Sequence, residues 1–236
     1  LPIHIHLSET QKEVDDCLSL YGLRPVQWLE KIELLGPNVI AAHVIHVTDE
    51  EIGILARNGV KVVHCPASNM KLASGHFPYK KMRAKGVEIS LGTDGCSSNN
   101  NLDMMEEMKI AALQAKLLHN DPTLLPAGTA FEMATLGGAR ALGIDCGEIA
   151  EGKLADCMLV DLSNHRLAPG YRLVSDMVYS ADNSCIDTVI CDGKILMRGG
   201  RVKDEEKIVA EARKYKKNGP NDWKPEEGGR SPTIGT

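Results

Sequence analysis

The run PIHIHLSET (2–10) alternates Ile3 and Ile5 with His4 and His6, then breaks into a polar turn that carries Glu9. Side chains alternate faces along a strand, so both imidazoles point the same way, with the carboxylate just past the strand end. Three more apolar runs follow the same plan. NVIAAHVIH (38–46) closes on His43 and His46, VKVVHCP (60–66) on His64 with Asn69 a few residues on, and VEISLGTDG (87–95) on Asp94.

Helical patterns separate these strands. TQKEVDDCLSLYG (10–22) opens with a Thr10–Glu13 capping box, presents Val14, Cys17, Leu18 and Tyr21 on one face, and closes on Gly22. PVQWLEKIELLG (25–36) starts on a proline and ends on a glycine. TDEEIGILARNG (48–59) is boxed by Thr48 and Glu51, and YKKMRAKG (79–86) is a short helix. LDMMEEMKIAALQAKLLH (102–119) is strongly amphipathic, and TAFEMATLGGARALG (129–143) is expected as one helix boxed by Thr129 and Glu132.

Repeated strand–helix units imply parallel strands with crossover helices. Chemically capable residues at every strand end favour the α/β barrel, whose active site lies on that rim. A doubly wound sheet would gather ligands at one switch point instead. Near residue 145 the pattern changes. GEIAEGKLADCMLVDL (147–162) is expected as two short strands about a Glu-Gly turn, and DTVICDGKILMRGGRV (187–202) as a hairpin about Asp192-Gly193. A charged helix (205–217) and a loose Pro/Gly-rich tail complete the chain.

Bulk properties narrow the partners. Twenty-seven basic against 32 acidic residues give a net charge of -5, which argues against a nucleic-acid or anionic-membrane partner. Seven scattered cysteines without a CxxC fit a reducing, cytoplasmic setting. There is no apolar run long enough for a bilayer and no Walker A, GxGxxG or GxSxG motif.

Each candidate has a plain structural explanation beside the chemical one. His43, taken alone, could be a hydrogen-bonded core histidine, and Asp94 an ordinary Asx-turn. His64 and Asn69 could touch substrate or tie down a loop; Asn69 reads as structural and His64 stays open. The triple asparagine 99–101 offers at least one N-cap. Met104, Met105, Met108, Ala111 and Ala112 read as helix core, and Glu106–Glu107 as a solvated face.

Taken together, IHLSET, AAHVIHVTDEE, HCPASNMKLASG, GTDGCSSNNNLDMMEEM and GEIAEGKLADCMLVDL resemble the amidohydrolase superfamily, in its S-adenosylhomocysteine/5-methylthioadenosine deaminase and chlorohydrolase branch. The resemblance implies one divalent metal, Zn2+ first and Fe2+ as the alternative, held by His6 and Asp94. Asp94 would also be the base toward the metal water, Glu9 the proton shuttle to the purine ring nitrogen, and His43 the group that polarises the water. Glu9, His43 and His64 would face a small nucleoside.

The resemblance further implies that the chain starts at the fifth strand of a (β/α)8 barrel. Residues 1–145 would then be strands five to eight, 146–202 a small β-sandwich part, and 203–236 a helix and tail. A whole barrel needs roughly 250 residues. The metal-binding HxH of the first strand would lie upstream, in a missing N-terminal half. Such a piece, with two open sheet edges, should form homo-oligomers or require that half. Guanine or cytosine deaminase, triazine chlorohydrolase and a non-catalytic half-barrel are the alternatives.

Overall fold

The computed structural model describes residues 1–218. The expected tail lies outside the described residues. Four strands, β1 (Ile3–Leu7), β2 (Val39–His43), β3 (Lys61–His64) and β4 (Glu88–Leu91), form a parallel sheet in the order β1-β2-β3-β4. The register pairs His6 with Ala42, Ala42 with Val63 and Val63 with Ser90. β2 is buried along its whole length, as a central parallel strand covered on both faces must be, and its sequence is correspondingly apolar. In β1 only the Ile3/Ile5 face is half-buried; His4 and His6 are exposed.

The intervening helices are α1 (Gln11–Tyr21), α2 (Pro25–Lys31), α3 (Asp49–Arg57), α4 (Pro66–Lys71) and α5 (Tyr79–Ala84). After β4 come α6 (Cys96–Asn99), α7 (Met104–His119), α8 (Ala127–Ala134) and α9 (Leu136–Leu142). The Thr48–Glu51 box at α3 is present in full. At α1 the Thr10 hydroxyl accepts from Glu13 N as expected, but the Glu13 carboxylate turns elsewhere and holds the Ser8 and Glu9 amides. Only Val14 of the expected α1 face is buried; Leu18 and Tyr21 stay exposed, and Tyr21 stacks on Trp28. α2 stops short of Gly36 because Glu33 takes a left-handed backbone.

Two expectations fail. Residues 129–143 are two helices, broken at Thr135. Thr129 lies inside α8 rather than capping it, and Glu132 pairs with Arg140 across the break. The break lets α9 abut the sheet, where a side chain at Gly137 would press on the Glu132 and Ile89 carbonyls. Residues 147–156 form turns rather than a strand, so 147–162 yields one strand, β5 (Cys157–Val160). The Asp192-Gly193 hairpin is present as β6 (Ile186–Cys191) and β7 (Lys194–Arg198). With β8 (Arg201–Val202) these make an antiparallel sheet in the order β5-β6-β7-β8, followed by α11 (Glu205–Asn218).

One hydrophobic core runs through the described residues. It joins Val39, Ala41, Val62 and Ile89 of the parallel sheet to Met105, Met108 and Ala112 of α7, as their spacing predicted, and on to Met177, Val178 and Ile186. Met177 and Val178 sit on α10 (Leu173–Tyr179), which packs against α7 and α8. Among the described residues no helix is long and apolar enough to cross a membrane.

Candidate active site

The carboxyl ends of the four parallel strands lie on one rim, and the backbone there is held in conformations that non-glycine residues seldom adopt. Ser8, His43, Val44 and Asp94 all have positive φ, from 50° to 71°. Such strain costs about 1–3 kcal/mol each and persists only where surrounding bonds fix it. Here the Val44, Ile45 and His46 amides donate to the Leu7 and Ser8 carbonyls, locking the end of β2 onto the end of β1.

Glu9 is aimed by three contacts. Glu13 takes the Ser8 and Glu9 amides at 2.6 and 2.8 Å, and the Ser74 hydroxyl donates to Glu9 Oε1 at 3.1 Å. Glu9 Oε2 then lies 3.8 Å from His43 Nε2, too far for a direct hydrogen bond, so the two groups face each other across a narrow gap. The His6 and His43 rings are 5.1 Å apart and tilted by 59°.

His43 is 1% exposed, and its Nδ1 lies 2.8 Å from Asn69 Oδ1. An amide oxygen only accepts, so Nδ1 carries a hydrogen and donates it, and Nε2 is left facing Glu9. Asn69 Nδ2 turns to His64 Nδ1 at 3.4 Å, and His64 stacks on Phe77 with ring centroids 4.1 Å apart. Asn69 thus joins two histidines, a structural role of more consequence than loop anchoring. His64 is 2% exposed and reaches the rim only through Asn69. His46 bonds the Ser74 carbonyl.

Burial drives the His64 pKa down to about 3, against the opposing pull of the Gln114 side chain, whose amide oxygen favours a protonated ring. A histidine with a depressed pKa stabilises the fold above its unfolded value near 6.5, and that stability is lost as pH falls toward 3. His64→Gln should therefore weaken acid sensitivity. Between pH 6 and 4 the wild-type urea midpoint should fall more steeply, by about 1 kcal/mol of stability per pH unit relative to the variant. Parallel profiles would refute a buried neutral His64.

Asp94 follows β4 at φ 62°. Asp94 itself takes the left-handed backbone, rather than leaving the bend to the flanking glycines. Gly92 is required for a different reason, since a Cβ there would strike Val63 Cγ1 at 2.8 Å. The Ser68 hydroxyl donates to Asp94 Oδ2 and the Gly95 amide to Oδ1, both at 2.6 Å. Burial works to raise the Asp94 pKa. It is outweighed by these two bonds and by the His43 and His6 imidazoles, so the carboxyl titrates below the usual range. Cys65, nearby, is pushed up to about 12 by burial and then by the Asp94 and Glu107 charges, which makes it a poor nucleophile.

Glu107 corrects a sequence reading. Rather than lying on a solvated face, it is fully buried and accepts from Ala67 N at 3.1 Å and from Asn99 Nδ2 at 2.6 Å. Burial raises its pKa to about 7 against the pull of those two donors. The asparagine cluster also differs from expectation. Asp103, not an asparagine, caps α7. Asn101 supports the Asp103 amide, and Asn99 serves Glu107 and the Thr93 carbonyl.

His6 and Asp94 are donors of the kind a zinc-type cation takes, an imidazole nitrogen and a carboxylate oxygen. Among the described residues no group of three or more His, Cys, Asp or Glu side chains stands where it could hold an ion. The donor set in this chain therefore fits part of such a site.

Comparison with known proteins follows the same lines. A 5'-deoxyadenosine deaminase of Methanothermobacter thermautotrophicus is 52% identical over 212 residues, 89% of this chain and 50% of the relative. A 5-methylthioadenosine/S-adenosylhomocysteine deaminase of Moorella thermoacetica is 51% identical over 216 residues, 90% of this chain and 50% of the relative. Among solved structures, an adenosine deaminase from Xanthomonas campestris with bound zinc superposes with a TM-score of 0.89 at 41% identity, covering 92% of this chain and 51% of that one. An atrazine chlorohydrolase from Arthrobacter aurescens in complex with zinc gives 0.84 at 26% identity, over 91% of this chain and 48% of that one. The chain spans about half the length of the relatives it matches. The amidohydrolase family model matches residues 1–196, and the chain belongs to that family.

Proposed function

We propose that this chain supplies the second half of a metal-dependent hydrolase that deaminates adenosine-type nucleosides and releases ammonia. Residues 1–145 are then strands five to eight of a (β/α)8 barrel with their helices, and 146–202 part of a small β-sandwich module. Two features support the incomplete-barrel reading. His4 and His6 lie on a bare strand face, and Leu159, Ile195 and Leu196 of the second sheet are about half exposed.

His6 and Asp94 would hold the cation, Zn2+ before Fe2+. Two donors fall short of the three protein ligands usual for catalytic zinc, so the remainder comes from the complementary half. When bound, the ion supplies Lewis-acid activation of water at neutral pH. The chain's own residues do the rest. Asp94, held ionised, accepts a proton from the attacking water. Glu9 carries one water proton to the purine ring nitrogen, which makes the adjacent ring carbon electrophilic, and the proton taken by Asp94 passes to the amino nitrogen, so that the C–N bond breaks with release of ammonia as the carbonyl forms. The Nε2 side of His43 orients the water between Glu9 and Asp94. His64, buried behind Asn69, keeps that arrangement rather than touching substrate.

The single observation that carries the reading is the convergence of Glu9 and His43, 3.8 Å apart, beside an ionised Asp94 within electrostatic reach of His6 and His43. Triazine dechlorination is the rival. Identity to the adenosine deaminase of known structure is 41%, against 26% to the chlorohydrolase, which favours the nucleoside. The test is ammonia release from 5'-deoxyadenosine, 5'-methylthioadenosine, S-adenosylhomocysteine and guanine. The chain would be assayed alone and after co-expression with the complementary segment of the Moorella relative, with zinc present. The chain alone should be inactive, and the complemented protein should deaminate the adenosines. A zinc-loaded complex that releases chloride from atrazine but no ammonia from any nucleoside would overturn the proposal.

A further inference from the structure

We propose that Glu107 and Asn99 act as a bracket that positions Asp94, an inference that rests on the catalytic role assigned to Asp94 above. The bracket is a closed circuit of four hydrogen bonds. Asn99 Nδ2 donates to the Thr93 carbonyl at 2.7 Å and to Glu107 Oε1 at 2.6 Å. Glu107 Oε2 accepts from Ala67 N at 3.1 Å, and the next residue, Ser68, donates to Asp94 Oδ2 at 2.6 Å. The circuit starts at the backbone just before Asp94 and ends on the Asp94 side chain. It passes through the helix α7. Asn99 closes the one-turn helix α6 that carries the chain away from Asp94, and Lys71 of α4 ties that helix down through the Ser97 carbonyl and the Asn100 side chain.

The chemistry requires a carboxylate at 107. Both of its oxygens face donors, a backbone N–H and an amide NH2, and no cation is paired with it among the described residues. A buried, unpaired carboxylate is unfavourable unless its acceptors are used. Glutamine has the same shape but one oxygen fewer, so its NH2 would face either the Ala67 N–H or the Asn99 amide, donor against donor. Asn99 is equally specific, since one NH2 group serves two acceptors. The left-handed backbone of Asp94 is not self-sustaining, and the bracket fixes both the carbonyl before it and the hydroxyl that grips its carboxylate.

The test uses Glu107→Gln and, as a second variant should that one fail to fold, Asn99→Ala. Amide exchange is read in the full chain and kinetics in the complemented enzyme. Exchange at Ala67 and Gly95 should speed up by about tenfold or more while amides in β2 and β3 keep their protection. The kcat should fall by about 10- to 100-fold with KM within twofold, because substrate contacts are untouched. The double variant should be little worse than either single one. Unchanged exchange at Gly95, or faster exchange with an unchanged kcat, overturns the bracket. If the complemented wild type deaminates no nucleoside, the functional proposal fails separately, and exchange at Gly95 alone decides this one.

Discussion

Asp94→Asn should lower kcat for deamination in the complemented enzyme by about 10^3-fold or more while leaving the fold in place. The substitution is nearly isosteric, and Asn tolerates φ 62° as well as Asp does. Its amide oxygen can still accept from Ser68 or Gly95, which now bond to the two carboxylate oxygens. What disappears is the negative charge, and with it the cation ligand and the proton acceptor. Asp94→Ala would be a poorer test, because it also strains the left-handed backbone and leaves the Ser68 hydroxyl and the Gly95 amide without partners. Steady-state ammonia release with thermal unfolding on the same samples separates the effects. A kcat within fivefold of wild type would remove Asp94 from the chemistry.

Glu9→Gln should lower kcat by about 10^2- to 10^4-fold and leave bound zinc unchanged. The backbone at residue 9 is held by Glu13 rather than by Glu9 itself, so the turn survives the substitution. The Ser74 hydroxyl can still donate to the amide oxygen. Glutamine cannot carry a proton, and its NH2 would occupy the gap facing His43 Nε2 as a permanent donor. Water between the two groups would be fixed in the wrong sense. Loss of zinc together with activity would instead make Glu9 a metal ligand. Unchanged turnover would reduce it to a residue of the α1 entry turn.

Much of this was legible in the sequence, for reasons that are local. The four parallel strands are short apolar runs, and α3 carries its full capping box in adjacent residues. The rim residues stand at strand ends, where the chain must turn and can present polar groups. What the sequence concealed depends on long-range contact. Glu107 was read together with its exposed neighbour Glu106, yet it is three residues after Met104 and four before Ala111. That spacing puts it on the core stripe of α7. The spacing was the available signal, and a carboxylate on an apolar stripe asks for a partner. No local pattern marks Asn99 or Ser68, whose partners lie on other elements, Glu107 on α7 and Asp94 in the turn after β4. The break at Thr135 had a local signal in the Gly137-Gly138 pair just after it, and the packing of α9 against β4 accompanies it.

We propose that His6 and Asp94 grip one cation at the rim of the strands. Anomalous diffraction at the zinc edge, on crystals of the complemented protein, tests it most directly. A single strong peak is expected within bonding distance of a His6 ring nitrogen and an Asp94 carboxylate oxygen, about 2.0–2.2 Å from each. A zinc peak bound elsewhere, with either of those side chains turned away from it, would contradict it.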